Sequence, residues 1–213
     1  IPHDTHDWDP AMPPVLFNGK VNGGERALVA AGDKGGNFWI LDAATGDLVD
    51  HTAVSFQKGQ NTEPSREGNI ACPNTNGGIE FNGGSYDPAT NAFIVPSVNQ
   101  CGRWKSLDQA VYIAGQFYLG GGFPELVGPS TGQLNAIDVS SGVFQWRHYY
   151  RLPSIAGVLI TKTGLAFTGE LNGNFDAFEA KNGRLLWHYR TGSPIVAPPS
   201  AVEIGGREVV LIA

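Results

Sequence analysis

The chain has 213 residues, 41% of them hydrophobic, with 29 glycines, 14 prolines and a formal net charge of −6. That length can enclose a sizeable core, and high glycine with modest charge fits a chain of many tight turns. The acidic balance argues against nucleic acid as a partner, and no apolar run approaches the roughly 18 residues of a spanning helix.

The densest chemistry comes first. Pro2-His3-Asp4-Thr5-His6-Asp7-Trp8-Asp9 holds three carboxylates and two imidazoles. Three readings of these residues stand open. Aspartate and histidine can ligate a metal, since hard cations take carboxylate oxygens and zinc takes imidazole. One carboxylate can act as a general base. Or the stretch is a polar turn whose aspartates cap backbone N–H groups.

Arg26 to Ala31 reads as a strand, followed by Gly32-Asp33-Lys34-Gly35-Gly36-Asn37 and a second strand at Phe38-Trp39-Ile40-Leu41. Lys34 taken alone is a solvated turn lysine. A turn follows at Ala44-Thr45-Gly46. Cys72 and Cys101 bracket a strand pattern that runs from Ser85-Tyr86-Asp87-Pro88 to Phe93-Ile94-Val95. An even cysteine count in a loop-rich chain permits one disulfide, and hence an exported protein in the periplasm or outside the cell. Two free buried thiols are the alternative. Residues 105–118 come nearest to a helical pattern, and Gly115 weakens it.

Farther along, one pattern occurs twice. Ala136-Ile-Asp138-Val-Ser-Ser-Gly142-Val-Phe-Gln-Trp146 and Ala177-Phe-Glu179-Ala-Lys-Asn-Gly183-Arg-Leu-Leu-Trp187 stand 41 positions apart. An imperfect copy, Leu41-Asp42-Ala-Ala-Thr45-Gly46, has Asp50 where the Trp falls. Around them, Gly157 to Ile160, Leu165 to Thr168 and Asn174 to Phe178 are short extended runs. They are broken by Thr163-Gly164 and Asn172-Gly173, which reads as antiparallel hairpins. About four strands in a period near 40 residues suit a propeller blade. The expected fold is therefore all-β, a β-propeller of which this chain holds about four to five blades. The repeated Trp is expected to dock each blade on the next, its indole N–H bonded to neighbouring backbone. The chain opens at Ile1-Pro2 without Met and closes within the strand-like Val209 to Ala213. These ends read as those of a fragment, or of a mature or partly sequenced chain.

The order of these motifs resembles the quinoprotein alcohol dehydrogenases, across essentially all 213 residues. The resemblance implies residues 1–213 as part of a single eight-bladed propeller domain, with pyrroloquinoline quinone (PQQ) on its axis over a calcium or lanthanide ion. Pro2-His3-Asp4-Thr5-His6-Asp7 resembles the family stretch ending in the catalytic aspartate. That makes Asp7 the base that takes the alcohol proton, with Asp7 and Asp9 toward the metal. The family's usual Trp before this Asp is here His6, with Trp8 after it. Asp33-Lys34-Gly35-Gly36 resembles the turn that sets a cation, here Lys34, on the quinone oxygens. Gly77-Gly78-Ile79-Glu80-Phe81-Asn82-Gly83 resembles the stretch whose polar residues face the quinone, implying cofactor contacts from Glu80, Phe81 and Asn82. The family also implies a Cys72–Cys101 disulfide. Activity would be oxidation of an alcohol or sugar hydroxyl, with a cytochrome c or quinone as electron acceptor and the remaining blades supplied by the full-length chain. The alternative is a non-catalytic propeller scaffold. It would share the Trp repeat, and it has no need of the Asp-rich turn, Lys34 and the Glu80 stretch together.

Overall fold

The computed structural model describes residues 3–116, 118 and 122–213. Pro2 of the N-terminal cluster and Phe117 of the 105–118 segment lie outside them. The described residues form strands and turns, with no helix among them. The first blade is a meander of β1 (Val15–Val21), β2 (Gly24–Gly32), β3 (Asn37–Asp42) and β4 (Leu48–Ala53), hydrogen-bonded in that order. Its first hairpin closes through Asn22 and Gly23, both at positive φ (52° and 78°). That pair is the residue chemistry a two-residue type I′ turn requires.

The second blade holds β5 (Asn69–Ala71), β6 (Ser85–Asp87), β7 (Ala92–Trp104), β8 (Glu125–Asp138) and β9 (Phe144–Tyr150). β6 and β5 both pair with β7, at its start and its end, while β7, β8 and β9 lie side by side. The third is β10 (Leu159–Ile160), β11 (Leu165–Gly169), β12 (Asn174–Glu179) and β13 (Arg184–Arg190), in chain order. A hairpin of β14 (Ser200–Ile204) and β15 (Arg207–Leu211) follows. The described residues thus make three full blades and one hairpin, against the four to five that a uniform period gives. The difference lies in the middle blade. Its β7 and β8 run 13 and 14 residues, and β8 pairs with β9 only from Gly132 onward. The rest of that pair, with its connection, is an excursion beyond the blade.

The core lies between blades. β7 is buried on both faces and its side chains alternate. Phe93 and Val95 pack with Leu28, Phe38 and Ile40 of the first blade. Ala92 and Ile94 pack with Ala166 and Phe178 of the third.

The repeated motif does the docking. Trp146 Nε1 donates to the Ala180 carbonyl at 2.8 Å. A methyl group on Gly183 would come within 2.5 Å of the Trp146 ring, so only glycine lets the ring lie there. Asp50 fills the same place one blade earlier. Its register opposite Ile40, beside a bulge, matches that of Trp146 opposite Ala136 and Trp187 opposite Ala177. A methyl on Gly142 would meet Asp50 Oδ2 at 2.1 Å. Among the described residues no glycine lies so against Trp187, which is 49% exposed.

Candidate active site

The N-terminal turn is shaped by its own carboxylate. Asp4 accepts backbone N–H groups from His6 at 2.9 Å and Trp8 at 2.5 Å. Within that turn Asp7 has φ +62°, a left-handed conformation that aspartate tolerates better than most residues. Non-glycine residues held there are over-represented at functional sites. Trp8 is buried and donates Nε1 to the Pro73 carbonyl at 3.2 Å. His6 stacks on Trp8 at 4.2 Å and meets the edge of Trp104 at 4.8 Å. Burial lowers the His6 pKa against the opposing pull of Asp4. The imidazole is therefore a neutral aromatic filler in a cluster of Trp8, Ala71 and Trp104.

The β2–β3 turn aims the lysine. Asp33 is buried and accepts from Asn37 N (3.0 Å), Asn37 Nδ2 (2.9 Å) and Trp39 Nε1 (2.8 Å). Asn37 Oδ1 in turn meets Gln57 Nε2 at 2.8 Å and His51 Nε2 at 2.9 Å. The carbonyl of Gly35 takes Gln57 and Gln60, each at 3.0 Å. With the turn anchored at these points, Lys34 Nζ reaches Asp7 Oδ2 at 2.9 Å and Asp9 Oδ2 at 3.1 Å. Lys34 N also donates to the Asp9 carbonyl at 3.1 Å.

Thr75 adds a hydroxyl at 2.9 Å to the same Asp7 Oδ2. Burial alone would raise the Asp7 pKa, but hydrogen bonds from Lys34 and Thr75 outweigh it and the carboxyl lies below its usual range. Burial likewise works against the Lys34 ammonium. Bonding to Asp7 and Asp9 reverses that, so its pKa is raised. Both groups are thus charged at neutral pH.

Glu80 is brought to this cluster by close backbone approach. A methyl on Gly78, which has φ +70°, would lie 2.3 Å from the Lys34 carbonyl. Ile79 N donates to the Asp33 carbonyl at 3.0 Å, and Ile79 packs on Gly32. Burial lifts the Glu80 pKa to about 7, opposed by the nearby Lys34 charge and reinforced by Asp9 and Asp7. Its Oε1 is buried with no partner among the described residues.

Phe81 and Asn82 are arranged otherwise. Phe81 is exposed. The Asn82 amide donates to the carbonyls of Ile155 (2.8 Å) and Val196, stitching this loop to later segments. Of the residues singled out from the sequence, then, Asp7, Asp9, Lys34 and Glu80 converge. The Asn82 nitrogen is committed to backbone.

Cys72 and Cys101 form a disulfide. It ties the segment before Thr75 to β7, and Asn74 N to Gln100 O at 2.7 Å reinforces the tie. Sequence reasoning missed Thr75 and the Asp33–Trp39 pair. Thr75 has no signal beyond its place among glycines. Asp33 has one in an echo: Gly32-Asp33-x-x-Gly36-Asn37-Phe38 against Gly169-Glu170-x-x-Gly173-Asn174-Phe175. The two turns match, with Gly36 at φ +83° and Gly173 at φ +88°.

A cavity of about 690 Å³ opens on Asp7, Asp9 and Thr75, and Trp104, Leu107 and Phe123 also line it. Among the described residues no group of three or more His, Cys, Asp or Glu side chains forms a metal cage. Those present fit a hard cation in part. Two carboxylate oxygens already converge on one positive group, Lys34 Nζ, and the orphaned Glu80 oxygen is a further hard donor.

No family model matches the chain. It is 32% identical to the quinoprotein ethanol dehydrogenase of Pseudomonas aeruginosa over 97% of its own length and 37% of that relative's. A europium-containing methanol dehydrogenase superposes with a TM-score of 0.82 at 25% identity, covering 97% of this chain and 40% of the other. A quinohemoprotein alcohol dehydrogenase from Pseudomonas putida gives a TM-score of 0.85 at 21% identity, covering 99% and 35%. The last supports the propeller fold alone. The chain spans well under half the length of each.

Proposed function

Since the chain belongs, by 32% identity over 97% of its length, to the quinoprotein alcohol dehydrogenases, we propose that it is part of a PQQ-dependent enzyme that oxidises an alcohol or sugar hydroxyl. The observation that carries this reading is the shared atom Asp7 Oδ2. It accepts from Lys34 Nζ and Thr75 Oγ1, both at 2.9 Å, beside an open cavity. Asp7 is the general base. Its lowered pKa keeps it ionised to receive the hydroxyl proton. Thr75 and Lys34 fix which oxygen does so.

PQQ bound here would supply a two-electron oxidant, and calcium or a lanthanide would make its carbonyl more electrophilic. Lys34 would hold positive charge where negative charge develops on that group. Asp7 and Asp9 would give two of the metal's oxygen ligands. Glu80 would be a further cofactor contact, and Phe81 lies beside it in sequence. The relatives' names support the chemistry, and a cytochrome c or quinone would take the electrons. The Cys72–Cys101 bond supports an exported location.

The test is dye-linked oxidation by the full-length protein across a panel of alcohols and sugars. Turnover is expected only when PQQ and calcium or a lanthanide are both added. Absence of turnover with both present would defeat the proposal.

A further inference from the structure

The seam between the second and third blades holds a polar cluster of its own. Tyr150 of β9 and Phe178 of β12 pack in one apolar cluster there. Asp176 stands two residues before Phe178 on β12, so it shares that face. Asp176 is 2% exposed and Tyr150 6%. The Tyr150 hydroxyl has no partner among the described residues. Burial, and then the charges of Asp176 and Glu170, push the phenol well above its usual pKa, so it stays a neutral oxygen beside both acids.

The first blade shows what a carboxylate at this turn meets instead. There Asp33 accepts from Trp39 Nε1 at 2.8 Å. In the third blade Glu170 matches Asp33, and Asp176 takes the place of Trp39 in the strand register. A second acid thus replaces the positive end of an N–H group. Each Glu170 oxygen takes one amide, from Asn174 Nδ2 and Asn172 Nδ2, both at 3.0 Å. That leaves each of them a free lone pair. Among the described residues neither acid forms an ion pair with lysine or arginine.

From this juxtaposition we infer that Glu170, Asp176 and the Tyr150 hydroxyl form a second metal site, for calcium, between the two blades. The described residues offer no group of three acids, histidines or cysteines for a metal. Here the phenol oxygen is the third ligand, and water completes a shell of roughly six to eight oxygens. One divalent ion neutralises both carboxylates, and without it they are left to share a proton. Magnesium suits this sparse set less well, because it demands octahedral geometry and gives up water reluctantly. Glu170 is only half-buried, which gives the ion a way in. The inference is independent of the dehydrogenase reading, since no residue of that site takes part.

The test is equilibrium dialysis against calcium chloride at pH 8, with the full-length protein and its Glu170→Gln/Asp176→Asn variant. Wild type should hold one calcium per chain more than the variant, with a Kd of about 10⁻⁴–10⁻³ M, the weak end of calcium sites. Reading the difference cancels any calcium held at Asp7 and Asp9. Tyr150→Phe removes only the hydroxyl and should weaken the extra calcium by about threefold or more. Equal calcium in wild type and the double variant overturns the site. So does an affinity that Tyr150→Phe leaves unchanged, which decides the matter even if the double variant fails to fold.

Discussion

Asp7 owes its geometry to one near neighbour and to three residues far from it in sequence. Asp4 shapes its turn, Lys34 and Thr75 fix its oxygen, and Gly78 lets the Glu80 loop lie on the lysine turn. Gly78 is the tightest of these constraints. Its φ is +70°, and a methyl there would sit 2.3 Å from the Lys34 carbonyl, a contact backbone cannot relieve without moving. Gly78→Ala should therefore displace Lys34 from Asp7 and lower kcat at least tenfold in the full-length protein, since small misplacements at such sites are costly. Thermal unfolding should show the fold retained. A kcat within twofold of wild type would mean that the lysine position is not critical. Asp7, Asp9 and Lys34 were singled out only through the family resemblance of their motifs, since taken alone the first two also read as a polar turn and the third as a solvated lysine; the structure brings the three side chains together. Thr75 was not singled out, since a threonine in a glycine-rich loop has no periodicity to mark its direction.

Blades dock by paired features of adjacent units. Trp146 against Gly183 uses both ring area and an indole N–H. Trp146→Ala should cost about 2–3 kcal/mol in denaturant unfolding, below the ~3–5 of a fully buried Trp because this ring is half-buried. A loss under about 0.5 kcal/mol would contradict the docking role. The β2–β3 turn has a counterpart in the third blade, with one exchange. In the first blade Trp39 Nε1 donates to Asp33 at 2.8 Å. In the third, Glu170 matches Asp33, and Asp176, opposite Thr168 as Trp39 is opposite Ala31, stands at the donor's position. A carboxyl there can donate only when protonated. Burial lifts Asp176 to about 7 from 3.8, and the Glu170 charge and hydrogen bond add to the rise. Tyr150, with its hydroxyl buried and unpartnered among the described residues, faces both acids, and His148 faces Glu170. A pKa raised on folding gives stability that is full below 3.8 and is lost as pH climbs through about 7. Asp176→Asn keeps an N–H donor without the titration. It should be more stable than wild type at pH 8 and similar near pH 4, as read by urea midpoints. Parallel curves across that range would contradict this.

At the scale of the molecule, the chain is an arc of propeller. Strand alternation and the Trp repeat made the first and third blades legible. The middle blade escaped because β7 and β8 overrun it, and the 105–124 connection carries neither a helical nor a strand period. Such an excursion consumes chain without adding a blade, which is why division by a period near 40 counts too many. All of β13 is exposed, with Trp187 at 49% and Tyr189 at 60%. Faces of that kind invite association. The 213-residue chain produced by itself should self-associate in light scattering. A stable monomer that binds PQQ and turns over alcohol would show instead that these blades suffice.

In the proposed reaction an alcohol gives its proton to Asp7 in this cavity. The most direct test compares full-length wild type with Asp7→Asn in dye-linked oxidation of a primary alcohol, both loaded with PQQ and metal as verified by the quinone absorbance and a metal assay. A loss of kcat of about 10²-fold or more is expected in a folded, loaded variant, the scale of removing a general base. An unchanged kcat would contradict it and move the proton acceptor to another group.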